Sequence, residues 1–117
     1  YTAFLIRYFG MTADCISVLD PPGANSPPAP EYEELCRLLE KTSMSGALHK
    51  DILSTDAELV FADGNIIAKL KAMHRDFSGI EISLPSMGYT DVIPKTHLGL
   101  SGGLLLCEQI INGLMFR

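Results

Sequence analysis

The chain has 117 residues, 47% hydrophobic and 20% charged, with a formal net charge of −5. That size suits one domain with a single core, and the composition is globular rather than disordered. The acidic balance argues against a nucleic-acid surface, which needs a basic face to neutralise phosphates.

Residues Thr2 to Phe9 carry helical spacing, with Phe4, Leu5, Tyr8 and Phe9 on one side and Gly10 as a left-handed cap. Ala13 to Leu19 alternate, are rich in Ile and Val, and read as a strand. Asp20 to Pro30 holds five prolines and no periodicity, so it reads as a loop. Pro30 and Glu31 open a helix whose buried face is Tyr32, Leu35, Cys36 and Leu39, at i, i+3, i+4 and i+7. Thr42 to Ser45 breaks it. Leu48, Ile52 and Leu53 suggest a short helix before the next strand.

Leu59-Val60-Phe61-Ala62 reads as a strand of the kind buried on both faces. Asp63-Gly64-Asn65 turns it into a helix whose core stripe is Ile66, Ile67, Leu70, Met73 and Phe77, ended by Gly79. Lys69 to Arg75 is the solvated side of that helix, with His74 exposed. Ile80 to Leu84 is the third strand. An irregular segment, Ser86 to His97, leads to Gly99-Leu100-Ser101-Gly102-Gly103 and a helix, Leu104 to Met115, that is apolar over most of its circumference. Such a helix needs burial on several sides, against another domain or subunit or within the core.

Strands separated by helices predict parallel pairing. The expected fold is α/β: a three-layer, Rossmann-like domain with a short parallel sheet flanked by helices, spanning residues 1–117. Because the chain opens at Tyr1, without methionine, it is expected to be a fragment of a longer, multi-domain subunit.

In such a sheet the strand ends share one edge, where ligands bind. Asp20, Asp63, Asn65, Tyr89, Asp91, Lys95 and His97 would surround a cleft there, although Asp63 also suits the plain role of an N-cap. Gly99-Leu100-Ser101-Gly102-Gly103 matches the Gly-x-Ser-x-Gly pattern of a nucleophile elbow. It lacks a strand before it and a histidine after it, so a helix cap at Ser101 is the better reading. The Gly-x-Gly-x-x-Gly dinucleotide fingerprint is absent. Cys15, Cys36 and Cys107 are widely spaced and read as reduced, buried thiols of a cytoplasmic protein. His49, His74 and His97 lie far apart, so no metal-ligand spacing appears. No apolar run reaches the ~18 residues of a membrane helix, and neither a membrane nor a nucleic acid is an expected partner.

Arg7-Tyr8-Phe9-Gly10-Met11, Leu59 to Asn65, Gly79-Ile80-Glu81-Ile82 and His97 to Gly102 with Ile111-Asn112 together resemble the nitrogenase component 1 family. That family includes the molybdenum-iron protein subunits, their cofactor-assembly scaffolds and the dark-operative protochlorophyllide reductase subunits. The resemblance implies a C-terminal Rossmann-like subdomain of an oligomeric oxidoreductase that forms part of a metal-cluster or tetrapyrrole cavity between domains. It implies a cofactor-facing role for Asp63, Gly64, Asn65, Tyr89, Lys95 and His97. It implies no metal ligand and no cofactor within this fragment, and an iron-sulfur or related cluster in the full-length protein. The implied partners are other domains of the same subunit, a homologous subunit and an ATP-dependent iron-sulfur reductase. Where the family's catalytic subunit carries a cofactor-ligating histidine, this chain has Gly88-Tyr89. The competing reading is a non-catalytic α/β module for small-ligand binding or subunit assembly.

Overall fold

A computed structural model describes residues 1–18, 23, 27–83 and 99–115, the side chain of Ser83 excepted. The chain divides into two compact units, Tyr1 to Asp56 and Ala57 onward.

The first unit is built on α1 (Thr2–Phe9) and α2 (Pro30–Lys41). Gly10 closes α1 in the left-handed conformation (φ 63°), with its N–H on the Leu5 carbonyl. Only glycine adopts that geometry without a Cβ penalty. Leu5 is the buried residue of α1. Phe4, Tyr8 and Phe9 share a side as expected, with ring centroids 5.0 Å (Phe4–Tyr8) and 5.8 Å (Phe4–Phe9) apart, yet all three are exposed.

Pro30 sits at the start of α2, where its missing N–H costs nothing. Leu39 is fully buried, and Tyr32, Leu35 and Cys36 are half-buried beside it, so the expected face is the one that packs. The helix stops where Thr42 Oγ1 donates to the Leu38 carbonyl at 2.8 Å and Ser43 turns left-handed (φ 59°). Two short 3-10 turns follow, Ser45–His49 and Ile52–Ser54, in place of the expected short helix.

The strand expected over Ala13 to Leu19 does not form across its described part, 13–18. There the Ile16 N–H donates to the Ala47 carbonyl at 2.8 Å and the Ala13 N–H to Met44 Sδ at 3.1 Å. These residues have β-type side chains. Strand propensity without a ladder partner does not make a strand, and here the backbone groups are taken by a 3-10 turn.

The second unit contains β1 (Leu59–Asp63), α3 (Gly64–Ala72), β2 (Ser78–Ser83) and α4 (Gly99–Met115). β1 and β2 pair in parallel from Leu59 opposite Ser78 to Asp63 opposite Ser83, with an irregularity between Ala62 and Asp63. This is the α/β class predicted from the alternating order, with two strands in the sheet among the described residues.

Val60, Ile67, Leu70 and Phe77 form the core, flanked by Ala57, Ala62 and Ile66. Val60 alone in β1 is fully buried; its neighbours are half-buried, so the strand is not enclosed on both faces. α3 ends at Ala72, not at Gly79. Met73 is therefore exposed, and Phe77 reaches the core from the connection that follows the helix. Gly79 lies inside β2 (a Cβ there would stand 2.8 Å from Ile67 Cγ2), so its role is to let α3 approach the sheet. Lys69, Lys71, His74 and Arg75 are exposed, as expected of a solvated face.

α4 packs on β2 and β1 through Gly102, Leu106 and Ile110. It begins at Gly99, so Ser101 is an exposed residue within the helix and not its cap.

Candidate functional site

Parallel pairing puts the C-terminal ends of β1 and β2, Asp63 and Ser83, side by side at one sheet edge. Asp63 is the last residue of β1 and the N-cap of α3. Its Oδ1 accepts the Asn65 N–H at 2.8 Å and the Ile66 N–H at 3.1 Å, satisfying two of the orphan donors of the first turn. Gly64 is buried under this turn, and Asn65 is exposed beside it. Three of the predicted site residues thus occupy the strand-end turn. Asp20, Tyr89, Asp91, Lys95 and His97 lie outside the described residues, as does Gly88. The edge therefore presents a capped carboxylate and an exposed amide.

A second polar cluster was not foreseen. Asp14 accepts Lys50 Nζ at 2.6 and 2.8 Å, Thr55 Oγ1 at 2.7 Å and the Asp56 N–H at 3.3 Å. Cys15 Sγ donates to the Lys50 carbonyl at 3.0 Å. Asp14 and Lys50 are both partly exposed, and Thr55 is buried. The hydrogen bonds from Lys50 and then Thr55 hold the Asp14 carboxyl below its ordinary value, against the opposite pull of burial. The hydrogen bond to Asp14 raises Lys50 above its ordinary value. Burial, followed by the negative charges of Asp14 and Asp51, pushes the Cys15 thiol up. A raised thiol stays protonated and is a poor nucleophile. The cluster is therefore a latch that ties segment 11–18 to the 3-10 turns. No sequence signal marks it, because its members stand 36 and 41 positions apart.

The latch makes a pH prediction. A carboxyl whose folded value lies below its unfolded one stabilises the fold above the unfolded value, near pH 4, and loses that contribution as pH falls through the folded value. A raised lysine stabilises below its ordinary value of 10.5 and loses the contribution as pH rises through its folded value. The stability gap between the native chain and Asp14→Asn is thus expected to be widest near neutral pH. It should narrow in acid and in strong alkali. Thermal melts across the range measure it; a gap that stays constant with pH counts against the latch.

A shallow depression of about 360 Å³ along α2 is lined by Pro28, Tyr32, Glu33, Cys36 and Arg37. A hydrogen bond with the Cys36 thiol raises the Tyr32 hydroxyl. Nearly all its lining comes from one helix, so polar groups do not converge on a ligand there as they do in built sites. Cys15, Cys36 and Cys107 are free and partly exposed, not buried as predicted. Among the described residues no three His, Cys, Asp or Glu side chains cluster as metal ligands would. None of the described helices is long and apolar enough to cross a membrane.

No protein-family model, curated protein or solved structure matches the chain. The fold defines a small α/β protein whose two parallel strands end side by side at one sheet edge.

Proposed function

We propose that this chain is a Rossmann-like subdomain of a nitrogenase component 1-like oxidoreductase of the cytoplasm, forming one wall of a metal-cluster or tetrapyrrole cavity between domains. The observation that carries this reading is the β1–α3–β2 unit. Its parallel strands bring Asp63 and Ser83 to one edge, and Asp63-Gly64-Asn65 turns straight from strand into helix there. Ligands of open α/β sheets sit at such edges. Asp63 holds the turn in place, Gly64 is buried in it, and Asn65 is exposed there, where it can face a bound group. A cluster bound there would supply electron storage, with ligands drawn from the rest of the subunit. The homologous subunit and an ATP-dependent iron-sulfur reductase are the partners this reading implies.

The test is an iron and acid-labile sulfide assay with a visible spectrum on the intact, anaerobically purified protein. Stoichiometric iron or a bound pigment in the intact protein, with a colourless 117-residue chain, is the expected result. An intact protein without iron, sulfide or pigment rejects the proposal. The rival reading, a non-catalytic binding or assembly module, is favoured by the use of the Asp63 carboxylate as a helix cap. It would be recognised by ligand binding or assembly without iron or turnover.

A further inference from the structure

α4 has two faces. Gly102, Leu106 and Ile110 pack on the sheet, and Gly113 lies against Ser78. On the far side, Leu100 is 82% exposed, Leu104 62%, Ile111 55% and Leu114 40%, with Met115 at 70% beside them. Cys107 is partly exposed in the middle of this row. The positions 100, 104, 107, 111 and 114 are spaced four, three, four and three. That is the a/d seam of a heptad repeat, the pattern by which one helix receives the knobs of another. The buried stripe is displaced from it by roughly 120° at 100° per residue, so occupation of one face leaves the other open.

We propose that α4 pairs with α4 of a second copy of this chain through the seam Leu100, Leu104, Cys107, Ile111 and Leu114. Two heptads are too short to hold a free-standing coiled coil. This helix, however, is already ordered by its other face, so association need not supply the cost of forming it. With Met115 beside it the seam exposes roughly 600 Å² of apolar residues per copy, so a pair can bury at most about 1,200 Å², the lower end of stable interfaces. An isologous pair buries the same seam on both partners and closes without propagating. A lipid surface fits less well. α4 contains one charged residue, Glu108, and no lysine or arginine to meet lipid headgroups. The inference stands apart from the cofactor reading, because oligomeric state and iron content are measured independently.

Cys107 stands at the centre of the seam, so it meets its twin whether the two helices run parallel or antiparallel. Sedimentation equilibrium on the full chain at micromolar concentration is expected to show a dimer. A short bis-maleimide should link Cys107 to Cys107, and Cys107→Ser should abolish that link. Leu104→Glu with Ile111→Glu should weaken the dimer by about 100-fold or more, given the loss of two central anchors, with circular dichroism unchanged. Should the double variant unfold, the Cys107 link in the unmodified chain decides the matter alone. A monomer at every concentration with no link at Cys107 overturns the proposal. So does a dimer that survives the folded double variant, or a monomer that floats with anionic phosphatidylserine vesicles.

Discussion

Leu70→Ala is expected to destabilise the chain by about 2–5 kcal/mol, the usual cost of emptying a fully buried leucine site. Leu70 has no exposed surface and lies with Val60, Ile67 and Phe77 between α3 and the two-stranded sheet. Chemical denaturation with a native-chain control measures the loss. Leu70→Met, which conserves volume, should cost less than about 1.5 kcal/mol. Equal losses for the two variants would show that the site is not close-packed.

Gly113→Ala carries the second large effect, and its sign is not what helix propensity predicts. Alanine in place of glycine normally stabilises a helix interior by about 1 kcal/mol. Here an added Cβ would stand 2.2 Å from Ser78 Oγ and 3.3 Å from Ser78 Cβ. Ser78 is buried in β2, so α4 must lift away from the strand or Ser78 must change rotamer. The net result is expected to be a loss of about 1–2 kcal/mol, because overpacking outweighs propensity. Adding Ser78→Ala removes the oxygen that clashes and should recover most of the loss, so the double-mutant cycle shows strong coupling. Gly113→Ala that stabilises the chain, or independent effects of the two substitutions, would mean that α4 does not lie this close to β2.

These two residues mark what was readable in the sequence and what was not. Leu70 is recognisable from its place in the Ile66, Ile67, Leu70 spacing. Gly113 is not, since a glycine late in a helix looks like a weak point until a strand is seen against it. Asp63 was legible as a cap because an aspartate between an apolar strand and a helical stripe has a local partner to satisfy. Asp14 was invisible because Lys50 and Thr55 are remote in sequence. Its neighbourhood has the alternation of a strand without forming one for a related reason: alternation reports side-chain character, while pairing requires another backbone. The α3 spacing can be continued past Ala72 to place Met73 in the core, although the helix ends there. The late helix is apolar over most of its circumference. The fold separates that surface into a stripe on the sheet, led by Leu106, and an exposed heptad seam. Leu106→Asp would therefore damage the fold itself, whereas Leu104 and Ile111 are the positions that test association.

The succession from β1 through α3 and β2 to α4, the helix stops at Gly10 and Thr42, the cap at Asp63 and the α/β class were determined by the sequence alone. Each depends on interactions within a few residues or on a repeating pattern of apolar positions. The tertiary structure alone decided that segment 11–18 is tied down by a carboxylate latch, that Gly79 and Gly113 are sites of close approach, and that one face of α4 is left open. Those outcomes depend on which distant groups meet, and a linear pattern carries no record of distance in space.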